Sequence, residues 1–471
     1  MTPVETLHGE SVALFGLGGS GLSTARALVA GGAEVSAWDD SLAALERAAA
    51  AGVTLVDLAR ADWRGFRLFV LAPGVPLTHP KPHWTVNLAD AAGVPIIGDI
   101  ELFVRERGAR APNAPFVAIT GTNGKSTTTT LIAHVLKEAG REVAMGGNIG
   151  TPVLDLPPPA AGRIHVVECS SYQIDLAPSL KPSVGLLINI TPDHLDRHGN
   201  LARYAAIKER LVANAGVALV GVDDEPCREI YARLKARSGA HRVMAVSGSE
   251  SPLADVWVSE HRVMERGEAA PAADLTRARA LRGAHNGQNA AFAYAAARGL
   301  GVERDRIARA FETFPGLAHR MEEVGRLGRV LFINDSKATN ADAAEKALLS
   351  FHDIHWILGG RAKAGGVEPL RPLFPRVAKA YLIGEASDEF ARTLADAVPF
   401  ERSGTLCDAT EAAADDATRS QAREPAVLLS PACASFDQFL NFEARGDAFR
   451  VCVAKWLERR ARADARAQTG G

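Results

Sequence analysis

Cysteine is scarce in this sequence, and no two cysteines form a C-x-x-C pair. The five, Cys169, Cys227, Cys407, Cys433 and Cys452, are odd in number and scattered. Neither a disulfide framework nor a cysteine-based zinc site is expected from them. No charge of one sign prevails: 53 Lys and Arg face 55 Asp and Glu, a net charge of -2. A duplex nucleic-acid partner needs a concentrated basic field, and the sequence has none. Long hydrophobic runs are missing too. The most apolar stretch, Ser11 to Ala33, is broken by glycines and Arg26, so no membrane span is expected. The opening MTPVETLHGE lacks the basic and apolar regions of a secretion signal. A soluble enzyme of the reduced cytoplasm is the expectation.

What is present is the composition of an ordinary globular protein. Hydrophobic residues make up 47% and charged residues 23% of 471 positions, enough chain for two or three domains. Three segments share a βα rhythm. The first runs from SVALFGLGGSGLSTARALVAGGAEVSAWDD through RLFVLAPG and VPIIGD. The polar, proline-containing RERGARAPNAP, Arg105 to Pro115, reads as a linker. The second segment opens with PFVAIT and a glycine turn and continues with RIHVVECS, SVGLLINI and VALVGV. Long helices are expected from near Leu201 and near Asn286. FPGLAHRMEE marks the second boundary, after which RVLFIND, IHWILGG, KAYLIGE and PAVLLSP repeat the alternation. A last helix to about Arg462 is expected, with a frayed tail beyond it. The fold class is therefore α/β, in three domains spanning residues 1–111, 112–316 and 317–471.

Gly16-Leu-Gly18-Gly-Ser20-Gly21 satisfies G-x-G-x-x-G between a strand and a helix, with Asp39 at the end of the next strand. Alone this reads as a nicotinamide dinucleotide site. The physics is broader, because glycines at a helix N-terminus let backbone N–H groups approach any diphosphate, including that of a UDP-sugar.

A second glycine turn, Gly121-Thr122-Asn123-Gly124-Lys125-Ser126-Thr127, also lies between a buried strand and a helix. It ends as a P-loop does, although Ile119 stands where the first glycine of G-x-x-x-x-G-K-S/T belongs. Lys125 is expected to neutralise the β- and γ-phosphates of ATP, and the Ser126 hydroxyl to ligate Mg²⁺. Two phosphate cradles in one chain do not suit a simple dehydrogenase.

TGTNGKST resembles the P-loop variant of the Mur ligase family, which also includes the folylpolyglutamate synthetases. GGNIG, VECSSYQ, TPDHLDRH, HNGQN and the His-Arg pair ending at Arg320 follow in the same order, so the resemblance covers nearly the whole chain. NDSKATN and LSPACASFDQFLNFEARGDAF resemble the branch of the family that adds D-glutamate. A folylpolyglutamate synthetase explains neither the first glycine turn nor NDSKATN. The resemblance implies a Rossmann-like N-terminal domain for the UDP-precursor, a central P-loop ATPase domain and a Rossmann-like C-terminal domain for the amino acid. It implies a monomeric, ATP-dependent amide ligase of peptidoglycan precursor synthesis. Its small-molecule partners would be ATP, UDP-N-acetylmuramoyl-L-alanine and D-glutamate, joined through an acyl phosphate.

Residue by residue, the resemblance extends the ATP site, Gly121 to Thr127, to Asn286, Asn289, Arg320, Asp335 and Lys337. Asn286 and Asn289 stand i, i+3 on a helix and offer amides to an adenine edge, although helix capping is the plainer reading. Glu168, at the C-terminal end of the strand RIHVVE, would hold a first Mg²⁺ with Ser126. His194 would ligate a second Mg²⁺; the dense cluster Asp193, His194, Asp196 and His198 also allows zinc, but no cysteine or further histidine stands close. Lys208 reads by itself as a solvated helix lysine. In the family the matching lysine is carbamylated, which turns a cation into an oxygen anion fit for Mg²⁺. Together Lys125, His194 and Lys208 form the catalytic set. The UDP-precursor is assigned Gly18, Ser20, Gly21, Asp39, Asp40, Pro73, Gly74, Asn148 and Gln173, with Ala72 where the family often has serine. D-glutamate is assigned Thr339, Lys363, Ser435 and Phe442.

Overall fold

A computed structural model describes residues 1–237, 242–363 and 365–469, with side chains to residue 463. Two compact units form, Met1–Arg279 with Ala284–Phe314, and Ala280–Gly283 with Pro315–Gly471. Among the described residues the strands make three sheets, of four, nine and six strands. The protein is thus mixed α/β, as its alternating apolar runs and glycine turns foretell.

The first unit holds two sheets. In the smaller, the order is Glu34–Trp38, Ser11–Phe15, Leu68–Leu71, Ile96–Ile97, all parallel. The chain reverses direction across the sheet between the second and third of these. That switch point opens a crevice at their carboxyl ends, where the first glycine turn leaves Phe15. The larger sheet runs Glu142–Gly147, Arg163–Glu168, Phe116–Thr120, Val184–Leu187, Val217–Gly221, Arg242–Val246 and Val256–Ser259 in parallel. Arg262–Glu265 and Ala273–Asp274 close it in antiparallel fashion. Phe116–Thr120 and Val184–Leu187 are buried along their whole length, which is why they read as unbroken apolar runs.

The expected linker is mostly helix. Asp99–Arg110 is helical, and only the stretch from Ala111 to Pro115 connects. The charges of RERGAR misled because they are paired: Arg105 meets Glu101, Arg110 meets Glu106, and Glu106 is fully buried and also accepts from the Thr6 N–H. Beside this helix the Gly98 N–H donates to the Leu176 carbonyl at 2.9 Å, and Ser179 donates to Glu101. One apolar core runs from Val12 through Phe103 and Phe116 to Val220, so the two sheets share an interior.

In the second unit the order is Glu322–Leu327, Val330–Asn334, Ala426–Leu429, Ile354–Gly359, Val377–Ile383, Phe400–Gly404, with only the first strand antiparallel. The helix Phe442–Thr469 extends beyond the expected end near Arg462. Phe449, Val453 and Trp456 recur at helical spacing and bury against Phe332 and its neighbours. One cysteine expectation fails. Cys407, in the helix Leu406–Arg419, is disulfide-bonded to Cys452 of the last helix, with Cα atoms 5.3 Å apart. Packing of those two helices brings together residues 45 positions apart, which spacing alone does not reveal.

Candidate active site

The second glycine turn lies where the larger sheet ends. Thr120 closes the central strand, Gly124 adopts φ +82, and the helix Lys125–Glu138 starts at once. A Cβ on Gly124 would collide with the amide oxygen of Asn289, so glycine is required by space as well as by φ. The loop is pinned from the neighbouring strand: the Thr122 N–H donates to the Asn189 carbonyl at 2.9 Å, and the Asn123 N–H to Asn189 Oδ1 at 2.8 Å. Lys125 folds back over its own loop, with Nζ 3.1 Å from the Gly121 carbonyl and 2.8 Å from that of Thr122. Thr127 is buried in the first turn of this helix.

Glu168 ends the strand Arg163–Glu168 and is buried beside the loop. Its two oxygens are both engaged. Oε2 accepts from Ser126 Oγ at 2.8 Å and Oε1 from Asn148 Nδ2 at 2.9 Å. The structure therefore brings Asn148, assigned to the UDP-precursor, onto the carboxylate assigned to metal. Ser126 and Glu168 present hard oxygen donors side by side, a set that suits Mg²⁺. Among the described residues, no three His, Cys, Asp or Glu side chains converge as a metal cluster.

Lys208 is not a solvated lysine. It is 1% exposed, on the inner face of the helix Leu201–Ala213, and Nζ donates to Thr120 Oγ1 at 3.1 Å and to the Gly121 carbonyl at 2.7 Å. Burial, and then the nearby Lys125 charge, lower its pKa to about 7. Tyr204, one helical turn earlier, puts its ring 4.7 Å from the same Nζ and its hydroxyl 3.3 Å from Thr122 Oγ1. His194 holds φ +52, its ring half exposed and 3.4 Å from Asp193. His198 is buried against Ser171 Oγ at 2.9 Å, and burial takes its pKa down to about 4. It is a neutral structural side chain.

Asn286 and Asn289 do share a face, in the helix Ala284–Gly299 packed against Lys125–Glu138. Asn289 donates to Asn286 Oδ1 and accepts from Thr128 Oγ1, each at 3.1 Å. Its amide is thus engaged in joining the two helices behind the phosphate loop.

At the first glycine turn, Asp39 accepts from the Leu17 N–H at 2.6 Å and the Ser41 N–H at 2.8 Å, so it shapes the loop that carries Gly18 and leads into the helix Gly19–Ala30, where Ser20 stands in the first turn. A Cβ on Gly21 would collide with the Gly16 carbonyl, which explains the glycine pair. Asp40 is exposed and meets His83 Nε2 at 3.1 Å. Pro73 and Gly74 follow the strand Leu68–Leu71, next to the turn, and Ala72 packs on Gly16. Gln173 is buried in a capping box with Ser170, and its Nε2 donates to Asp99. Burial raises the Asp99 carboxyl, against the lowering effect of that amide.

In the second unit the assigned residues gather at the carboxyl ends of Val330–Asn334, Ile354–Gly359 and Ala426–Leu429. Asp335 is buried, accepting from Ser430 Oγ at 2.9 Å and from the Met321 N–H at 3.2 Å; burial raises its pKa to about 7, opposed by the Ser430 bond. Arg320 is close enough to lower it. Lys337 Nζ lies 3.8 Å from the Phe442 ring centroid. Ser336 Oγ donates to the Phe442 carbonyl at 2.8 Å, tying the turn that leads to Thr339 to the start of the last helix. Ser435 is buried; Lys363 is exposed on its loop.

The chain has known relatives. A family model described as the Mur ligase middle domain matches residues 119–297, and one described as the Mur ligase, glutamate ligase domain matches residues 319–433. The UDP-N-acetylmuramoylalanine–D-glutamate ligase of Rhizobium etli is 60% identical over 456 residues, 96% of this chain and 97% of that protein. The chain belongs to the Mur ligase family. The protein of the same name from Brucella abortus is 58% identical over 456 residues, again 96% of this chain and 97% of its own. Among solved structures, the UDP-N-acetylmuramate–alanine ligase of Thermotoga maritima shares the fold at a TM-score of 0.56 and 17% identity, covering 96% of this chain and 100% of that one.

Several residues that build this candidate site escaped sequence reading. Asn189 fastens the phosphate loop, Tyr204 packs over Lys208, and Asp99 holds Gln173. Asn189 and Asp99 each stand next to a strand end or helix start, the one signal that could have raised them. Nothing in the text around Tyr204 distinguishes it from a core aromatic.

Proposed function

We propose that this chain joins D-glutamate to UDP-N-acetylmuramoyl-L-alanine at the expense of ATP, as an enzyme of peptidoglycan precursor synthesis. The observation that carries the reading is the 60% identity, across 96% of the chain, to an enzyme whose name states that reaction. Residues 1–111, as a Rossmann-like domain, take the UDP-precursor; residues 112–316, as a P-loop domain, take ATP; residues 317–471, again Rossmann-like, take the amino acid. The enzyme works as a cytoplasmic monomer. Among the described residues no helix is long and apolar enough to cross a membrane, in keeping with soluble substrates.

The substrate carboxylate attacks the γ-phosphate of ATP, ADP leaves, and the amine of D-glutamate then displaces phosphate from the acyl phosphate. Two anions must meet in the first step, so cations have to stand between them. Lys125 swings from its own loop carbonyls to the β- and γ-phosphates. Ser126 and Glu168 would hold one Mg²⁺, and His194 with a carbamylated Lys208 a second. Magnesium, when bound, neutralises phosphate charge that would repel the carboxylate. A protonated amine has no lone pair with which to attack carbon dioxide, but the lowered pKa of Lys208 leaves much of it neutral, able to add to carbon dioxide and release a proton to give the carbamate. Thr339, Lys363, Ser435 and Phe442 receive D-glutamate, and Arg320, Asp335 and Lys337 the nucleotide. The test is phosphate release from Mg·ATP with UDP-N-acetylmuramoyl-L-alanine and a panel of D- and L-amino acids. D-glutamate should support turnover; strict preference for meso-diaminopimelate or L-lysine would reject the assignment.

A further inference from the structure

The segment Thr191–His198 carries an arginine for which the nucleotide site has no use. Arg197 lies in the short helix Leu195–His198, three residues after His194. Its Nη1 donates to the Gly74 carbonyl at 3.0 Å, crossing from the larger sheet to the loop after Leu68–Leu71 of the smaller one. The same guanidinium lies 4.7 Å from the centroid of Tyr172. Tyr172 in turn sits 5.3 Å from the His194 ring and stacks on His198 at 5.1 Å. Two further contacts hold the same loop. Arg203 donates to Thr78 Oγ1 at 3.2 Å, and Gly199 packs so tightly on His79 that a Cβ would lie 2.8 Å from Nε2. A planar guanidinium can serve a carbonyl at its edge and a ring at its face together, which makes Arg197 the link between the two. His194 is the sensitive end of that link, because a non-glycine residue at φ +52 keeps its conformation only while its surroundings hold it.

We propose that Arg197 is a positioning residue that couples the Pro73-Gly74 loop to His194, so that a UDP-linked precursor on the first sheet and a magnesium nucleotide on the second bind cooperatively. The inference rests on the ligase reading and deepens it. Coupling of this kind is reciprocal: whichever ligand orders the link first makes the second bind more tightly. Calorimetry on the full chain, with magnesium and a non-hydrolysable ATP analogue, reads it directly, with and without saturating UDP-N-acetylmuramoyl-L-alanine. In the unaltered protein the precursor should tighten nucleotide binding roughly fivefold or more, the lower end of ordinary coupling energies. In Arg197→Ala and in Tyr172→Leu the tightening should nearly vanish, while each ligand alone keeps its affinity within about threefold. Arg197→Lys should recover part of it, since an ammonium keeps a donor and a cation over the ring. Undiminished tightening in Arg197→Ala, or none in the unaltered protein, overturns the coupling. So does loss of each ligand's separate affinity, which would make Arg197 a merely structural side chain. Phosphate release with D-glutamate by the unaltered protein decides the ligase reading independently.

Discussion

Ser126 Oγ and Glu168 Oε2 face each other at 2.8 Å, a serine from the first turn of one helix and a carboxylate from the end of the neighbouring strand. Neither belongs to the other's local sequence, yet together they offer two hard oxygens beside the phosphate loop. The pair rests in a hydrogen bond that a cation would replace with two shorter, stronger contacts. Glu168→Gln keeps the shape and the Asn148 contact but removes the charge. Turnover should fall by about 10²-fold or more, as for loss of a single preorganised electrostatic group, and the magnesium concentration for half-maximal rate should rise. Melting temperature should hold within a few degrees. Magnesium titrations that superimpose for the two proteins would remove Glu168 from the metal site.

Lys125 donates to two carbonyls of its own loop, those of Gly121 and Thr122. Because the phosphate charge it would neutralise is present only with ATP bound, Lys125→Ala should leave the fold intact and bring phosphate release below roughly 1% of normal. A folded Lys125→Ala protein with ordinary turnover would refute the phosphate role.

Lys208 has a pKa lowered to about 7 by burial and by Lys125. Carbamylation consumes the neutral amine, so carbon-dioxide-dependent activity should rise with pH through about 7. The stability linkage has the same sign. Between that value and the ordinary lysine range the unfolded chain binds the proton more readily, so this group's contribution to stability improves as pH rises; its full cost is felt below about pH 7. Lys208→Ala should be nearly inactive and partly rescued by acetate, which can supply the missing oxygens. Absence of rescue together with activity indifferent to carbon dioxide would argue for a bare lysine.

For the amino-acid pocket, Lys363→Ala should raise the Michaelis constant for D-glutamate by about tenfold while leaving that for ATP within about twofold, as expected when one exposed ion pair with substrate is lost. L-glutamate should be rejected by roughly 100-fold or more, because the mirror image leaves one carboxylate without its donor. Steady-state kinetics with both enantiomers settles it; equal use of the two would place the pocket elsewhere.

The Cys407–Cys452 bond closes a loop of 45 residues within the second unit. Restricting the unfolded chain to that extent is worth at most about 4 kcal/mol in the chain-entropy account. Reduction, or Cys407→Ser, should lower the melting temperature by up to about 10 °C and leave the Michaelis constants alone. Thiol titration of the unfolded protein should find three free cysteines before reduction and five after.

The amino-acid order by itself determined the α/β class, the two glycine turns and the helix after each, because strand, turn and helix signals act over a few residues. It also determined the i, i+3 pairing of Asn286 with Asn289. Only the tertiary structure decided what those elements enclose. Lys208 is buried beneath Thr120 because the strands Phe116–Thr120 and Val184–Leu187 pair, and the helix Leu201–Ala213 packs on them; on its own helix it looks solvated. Asn148 serves Glu168 because Glu142–Gly147 pairs in parallel with Arg163–Glu168. RERGAR proved to be helix because Glu101 and Glu106 find long-range partners at Ser179 and Thr6 that no window around them contains. The Arg197–Gly74 bond spans 123 residues. Contacts at such distances carry no local signature, since they depend on which strands become neighbours in the sheet, and that is settled by burying every apolar face at once.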